Sequence, residues 1–382
     1  MNALIDHREK IRSHHRADES KILDYLISHY APDQDMRERI RARAIRVVED
    51  VRRASGPTLT ESFLGQYGLS SDEGLALMTL AEALLRVPDN QTIDDLIEDK
   101  IGPSNWREHI GKSDSALVNA STYALNMTRS VIQEPESRGP LEAIRGAIKR
   151  LGEPVIRTAV RQAMKELGNQ FVLGEDMTQA LKRAEKWKSR GATYSYDMLG
   201  EAAITQEDAD NYFKSYSNAI REIAKVSKSD DMRQNPGLSI KLSALYPRYE
   251  MSQQAKAVPA LAERVSELAL AARDAKIGLN VDAEEAYRLG LSLDMIEMVL
   301  SDPRLAGWDG FGGVVQAFGK RASFVIDWLY TLAEQLDRKI MVRLVKGAYW
   351  DSEIKRAQMD GVPDFPVFTT KSATDISYIC CA

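Results

Sequence analysis

From Gly191 onward, short β-rich runs alternate with helical stretches, and that alternation restricts the possible folds more than any other feature of the chain. The runs cover residues 193–198, 238–243, 278–282, 313–318, 340–345 and 366–370. Strands separated by helices form parallel βα units, because a parallel pair needs a crossover long enough to hold a helix. Polar residues recur near the C-terminal ends of these runs, at Asp197, Lys241, Asp282, Gln316, Arg343 and Thr369, at intervals of 44, 41, 34, 27 and 26 residues. A (β/α)8 barrel gathers its chemistry at that rim. A doubly wound sheet is the rival, and it requires a glycine-rich phosphate turn after its first strand, which residues 199–203 (LGEAA) do not provide. The predicted fold is therefore α/β, a (β/α)8 barrel truncated after about six of its eight strands.

Before residue 191 the pattern is helical from about residue 19, with apolar residues three and four apart, as in Ile22, Leu23, Leu26 and Ile27. The expected organisation is a helical arm and small α-helical domain over 1–133, a helical linker over 134–190 and the barrel over 191–382. The polar breaker run Glu134-Pro-Glu-Ser-Arg-Gly-Pro140 marks the linker's start. The basic segment from Arg8 to Arg16 reads as a solvated, partly frayed tail. A net charge of -5 gives no global basic field, which argues against nucleic acid as the main partner. No run approaches the ~20 apolar residues of a membrane helix, and no signal-peptide core is present, so a cytoplasmic protein is expected. The two cysteines, Cys380 and Cys381, are adjacent and can build neither a disulfide framework nor a metal site. All five histidines lie in the first 109 residues, so histidine chemistry is absent from the motif-bearing half.

The candidates for chemistry cluster at the rim. Arg343 and Lys346 offer a planar fork and a point charge suited to a polar heterocycle or a phosphate; the plain alternative is an ion pair of Arg343 with Asp282. Tyr349 and Trp350 can stack on a planar ligand or simply pack at a helix start. Lys241 can bind a carboxylate, form a Schiff base as in aldolase barrels, or pair with Asp197 or Asp282. Asp197 and Glu201 suit cation orientation or acid-base work as well as a structural role. Asp282, Glu284 and Glu285 form an acidic trio, but the other strand ends supply cations instead of oxygen ligands, so no metal is expected. Thr369 and Thr370 offer hydroxyls near a helix N-terminus, for an anion or for capping.

Five motifs in order, Tyr194-Ser-Tyr-Asp-Met-Leu-Gly-Glu-Ala-Ala203, Ser239-Ile-Lys-Leu-Ser-Ala-Leu245, Val281-Asp-Ala-Glu-Glu-Ala286, Val315-Gln-Ala317 and Arg343-Leu-Val-Lys-Gly-Ala-Tyr-Trp350, resemble the proline dehydrogenase region of the bacterial proline utilization A (PutA) flavoenzymes. The resemblance implies a distorted (β/α)8 barrel that binds FAD, oxidises L-proline to 1-pyrroline-5-carboxylate and passes electrons to a membrane quinone. It implies flavin contacts at Asp282, Gln316, Arg343, Lys346, Gly347, Ala348, Tyr349, Trp350, Thr369 and Thr370. Lys241 would hold the substrate carboxylate with Tyr349 beside the ring, and Asp197 and Glu201 would pair with arginines of a final barrel helix. Arg343 would stabilise negative charge on the reduced flavin. By the same resemblance the chain is an N-terminal fragment of a bifunctional protein whose other half, an NAD-dependent L-glutamate γ-semialdehyde dehydrogenase, is missing. Peripheral association with the inner face of the membrane and homo-oligomers of the full-length protein are implied too. Residues 1–30 lack the look of the ribbon-helix-helix module of some members, so no DNA binding is expected. The fragment alone is expected to retain FAD weakly or not at all and to be inactive. A Schiff-base lyase or aldolase barrel using Lys241 is the alternative.

Overall fold

The computed structural model describes residues 2–54, 92, 172–198 and 202–382. Contacts divide the chain into two compact units, one of Met1–Ala44 with Ala184–Ala382 and one of Ile45–Arg183. In the first unit, five strands form one sheet: β1 Ser195–Asp197, β2 Gly237–Ile240, β3 Leu279–Val281, β4 Phe311–Gln316 and β5 Met341–Val345. Every neighbour pair is parallel, and spatial order equals chain order, β1-β2-β3-β4-β5. That is an arc of a (β/α)8 barrel, each strand joined to the next by a helical crossover.

The described helices, in chain order, are α1 Asn2–Ser13, α2 Glu19–Tyr30, α3 Gln34–Arg53, α4 Met177–Lys188, α5 Gln206–Val226, α6 Leu242–Leu245, α7 Gln254–Asp274, α8 Leu289–Leu300, α9 Ala322–Gln335, α10 Trp350–Met359 and α11 Lys371–Cys381. Their ends follow local chemistry. The Thr205 side chain accepts from Asp208 N while Asp208 reaches back to Thr205 N, a reciprocal capping box that starts α5. Asp18 caps α2 by accepting from Lys21 N.

Register sorts the strand residues onto two faces. Tyr196, Leu238, Leu279 and Phe311 are cross-strand partners, as are Ile240, Val281 and Gly313. These apolar residues are buried against the helical layer, which reaches the sheet through α5 on β2 and α9 on β4. The opposite face carries Ser195, Asp197, Ser239, Asn280 and Arg343, so the polar set faces the barrel interior. Alternation of side chains along each strand produces both faces from one sequence.

Three expectations need correction. Residues 366–370 are no sixth strand of the sheet: Val367 makes an isolated antiparallel bridge with Gly319, and Phe368 N donates to Phe318 O at 2.8 Å. Pro366 breaks the run, since it has no N–H to give a ladder, and the segment becomes a strap across the loop after β4. Second, β5, whose apolar run of Ile340, Val342, Leu344 and Val345 reads in the sequence as a buried strand, is not one. It stands at the edge of the described sheet, and Val342 is 44% exposed. Third, the basic N-terminus is no frayed tail. α1 lies along α9, burying Leu4 and Ile11, while Arg8 pairs with Asp294 and donates to Gly290 O at 2.9 Å. Its charge is spent on the barrel because Ile11 and Leu4 give α1 an apolar stripe to bury.

Within Ile45–Arg183 the description reaches the end of α3, residue 92, and residues 172–183 with the start of α4. Of the expected linker over 134–190, residues 134–171 lie outside the described residues, as do the helices expected between residues 57 and 167 except at residue 92, which is helical; residues 172–190 of the linker are described and carry α4.

Candidate active site

The rim of the sheet holds one continuous polar network. Lys241 follows β2 directly and N-caps α6, with its backbone N–H donating to Tyr216 Oη at 3.2 Å. Its flanking residues Ile240 and Leu242 are buried against the helical side, so the ammonium points the other way. There Nζ donates to Asp197 Oδ1 at 3.1 Å and to Asp282 Oδ2 at 3.3 Å. Asp282 Oδ1 in turn accepts from Arg343 at 3.4 Å. Arg343 also donates to Ser239 Oγ at 3.0 Å and Ser195 Oγ at 2.7 Å, and these two hydroxyls lie 3.2 Å apart. Four strand ends thus meet through one lysine, one arginine, two aspartates and two serines.

The electrostatics follow from this placement. Burial works against the charge of Lys241, but Asp197 and Asp282 outweigh it and hold its pKa above the ordinary lysine value. Asp282 is pushed up, mainly by burial and then by Asp197, with Lys241 and Arg343 partly offsetting both. Tyr349 is pushed up to about 12 by burial and by Glu284 and Glu285, so its phenol is neutral at ordinary pH.

A second group surrounds the exit of β5. Gln316 donates through Nε2 to Glu284 O at 2.9 Å and accepts from Ala348 N at 3.3 Å. Gly347 adopts φ +132° with its Cα against the Phe318 ring. Tyr349 N-caps α10, and Trp350 opens it, donating Nε1–H to Phe368 O at 2.7 Å. Lys346 pairs with Asp375, which also binds Lys371 at 2.8 Å. Thr370 caps α11 by accepting from Ala373 N, and Thr369 donates to Glu19 of α2.

Most of the expected site residues are therefore brought to one end of the sheet. Asp197, Lys241, Asp282 and Arg343 share a network; Gln316, Ala348, Gly347, Tyr349, Trp350 and Lys346 line the adjoining turn. Glu201 lies outside the described residues. Sequence reasoning missed Ser195 and the role of Ser239, although both lie inside motifs with their side chains two residues from rim positions. It also missed Glu353, buried on α10, which accepts Ala286 N at 2.6 Å and ties the aromatic turn to the loop after β3. The Glu284 carboxylate accepts from Ser243 N at 3.0 Å and from Arg288 at 2.9 Å.

The donor set fits FAD. Guanidinium, ammonium, hydroxyls and an amide surround an aromatic turn, and the side chains of Arg343 and Lys346 keep 35% and 49% of their surface open to a ligand. Such groups suit a phosphate-bearing, hydrogen-bonding heterocycle.

Residues 180–382 match the family model for proline dehydrogenase. The chain belongs to the proline dehydrogenase family. Residues 6–52 match the model for the proline utilization A proline dehydrogenase N-terminal domain, and residues 59–171 that for the DNA-binding domain of proline dehydrogenase. The expectation of no nucleic-acid partner rested on residues 1–30 and on net charge; this last match concerns a different stretch, and its description runs against that expectation. Among curated proteins, the bifunctional protein PutA of Klebsiella aerogenes is 46% identical over 379 residues, covering 98% of this chain and 29% of the relative. PutA of Escherichia coli strain K12 is 45% identical with the same coverage. The chain thus spans under a third of the length of these relatives. Among solved structures, a variant of Bradyrhizobium japonicum proline utilization A is 43% identical with a TM-score of 0.67, over 96% of this chain and 36% of that one. The fold and the five-motif resemblance agree with membership in this proline dehydrogenase family.

Proposed function

We propose that this chain supplies the flavin-dependent proline dehydrogenase part of a PutA-type bifunctional enzyme, oxidising L-proline to 1-pyrroline-5-carboxylate. The observation that carries the reading is the Lys241 network at the strand ends, in a chain of this family. L-Proline presents a carboxylate and a secondary amine, and oxidation removes a hydride from the ring carbon beside nitrogen and a proton from nitrogen, leaving a C=N bond. Lys241, kept cationic by Asp197 and Asp282, binds the carboxylate. Tyr349 as a neutral phenol covers the ring, and with Trp350 it excludes water. Holding the amine and the hydride acceptor together does most of the catalytic work.

FAD, when bound, supplies the two-electron acceptor. Arg343, Lys346, Gln316, the Gly347–Ala348 backbone, Tyr349, Trp350, Thr369, Thr370 and Asp282 would hold it. Arg343, a guanidinium donor, would stabilise the negative charge that the reduced cofactor carries. A membrane quinone as final acceptor, homo-oligomers, and a cytoplasmic site with peripheral contact to the inner membrane face accompany this reading by family analogy. Among the described residues no helix is long and apolar enough to cross a membrane.

The Schiff-base alternative needs a neutral lysine amine. Lys241 is held in the opposite state by two carboxylates, and no observation favours that chemistry. The test is the visible spectrum of the protein carrying this chain, purified in full length, together with proline-driven dye reduction. A bound flavin band and proline-dependent reduction are expected. A colourless protein that binds no added FAD and reduces no dye overturns the reading, and borohydride trapping of a carbonyl substrate on Lys241 would put the alternative in its place.

A further inference from the structure

Thr369 is reached from the far end of the sequence. Glu19, the first residue of α2, accepts Thr369 N–H through Oε2 at 3.0 Å and the Thr369 hydroxyl through Oε1 at 3.3 Å. The contact is braced. Lys320, only 4% exposed, donates through Nζ to Ala17 O at 2.9 Å, fixing the turn that precedes Glu19. Lys320 N also donates to Pro366 O at 3.2 Å, so one residue holds both the turn and the strap that carries Thr369. The strap is further secured by Phe368 O, which accepts from Trp350 Nε1.

A threonine hydroxyl has one proton and two lone pairs. A carboxylate only accepts, so Glu19 consumes the single proton of Thr369 Oγ1. Phosphates and ring carbonyls also only accept, and they find no donor left on this hydroxyl. An N–H group does find an acceptor there.

We propose that Glu19 is a positioning residue of the cofactor site: by taking the hydroxyl proton of Thr369 it leaves Thr369 Oγ1 as a pure acceptor, which receives an N–H of the bound cofactor. The inference rests on the flavin reading above. FAD offers such a group at two places, the ring imide of the flavin and the amino group of the adenine. The N-terminal arm thereby becomes part of the cofactor site without touching the cofactor.

The test is titration of FAD into the apoprotein of the full-length protein that carries this chain, following flavin fluorescence, for the parent and for Glu19→Ala, Glu19→Gln, Thr369→Val and the Glu19→Ala/Thr369→Val pair. Losing a hydrogen bond of this kind weakens binding about tenfold in each single variant. Glu19→Gln is the decisive arm, because its amide still accepts Thr369 N–H while its NH2 donates to Oγ1 and reverses the hydroxyl. The double variant is expected to bind no more weakly than Thr369→Val, since Glu19 acts only through that hydroxyl. Repeating the titration with FMN separates the two sources: a retained Thr369→Val effect assigns the flavin imide, a vanished one the adenine amino group.

Parent-like binding by Glu19→Gln or by Thr369→Val overturns the inference, and so do losses that multiply in the double variant. Glu19 is half-buried and Thr369 exposed, so the variants are expected to fold, and thermal melts check it. A parent that binds no FAD fails differently, taking the flavin reading with it.

Discussion

Lys241 answers to two carboxylates at once, and removing it leaves Asp197 and Asp282 facing each other across the strand ends. Lys241→Ala is expected to raise KM for proline about thirtyfold or more through the lost charge-assisted contact, measured in steady-state dye reduction. Its pH behaviour has a definite sign. The folded pKa of Lys241 lies above the ordinary 10.5, because Asp197 and Asp282 outweigh burial. Its stabilising contribution is therefore complete below the unfolded value and is lost as pH rises through the folded one. The gap in Tm between the parent and Lys241→Met should stay constant from neutral pH to about 10 and narrow above it; a gap that widens there would contradict this. At this scale the sequence showed Lys241, Asp282 and Arg343 at the rim, and named Asp197 and Asp282 as partners for the lysine. It could not show Glu19 on Thr369, because 350 residues separate them and neither periodicity nor motif links the two. Arg8 was misread for a related reason: a basic residue on a short helix looks the same in solvent as on Asp294 until the opposing helix is placed.

At the scale of elements, the turn after β5 depends on one backbone conformation. Gly347 sits at φ +132°, and a Cβ there would come within 2.7 Å of the Phe318 ring carbons. Gly347→Ala combines a strained dihedral with a clash against a buried aromatic, so urea unfolding is expected to show a loss of about 2 kcal/mol. The same change moves Ala348 N, which donates to Gln316, and weakened FAD binding should accompany it. Five β runs were legible because each pairs β-branched or apolar residues with a polar residue at its C-terminal end. The sixth was not, since Val367 and Phe368 are fully buried both in a strand and in a strap. Apolar content reports burial, and only hydrogen-bond direction separates the two structures.

At the scale of the molecule, the arm helix α1 is fastened to the barrel by Ile11, which is 2% exposed, and by Arg8 on Asp294. Ile11→Asp would bury an unpaired charge in that seam and is expected to cost about 3 kcal/mol, releasing α1. Limited trypsin digestion should then cut at Arg12, Arg16 and Lys21 well before the rest of the chain, whereas the parent resists at these sites. The arc of strands carries a different consequence, one of timing. Because chain order and spatial order coincide, each strand needs only the strand made just before it, with Ser195 meeting Gly237 and Leu238 meeting Leu279. Among the described strands no pairing waits for a distant segment, so this arc can grow in the direction of synthesis, one βα unit at a time, as the ribosome releases it. Nascent chains arrested after residue 325 should already protect the amide of Leu238, which donates to Gly278 O at 2.9 Å, while the residues that complete the Arg343 side of the network are still unmade.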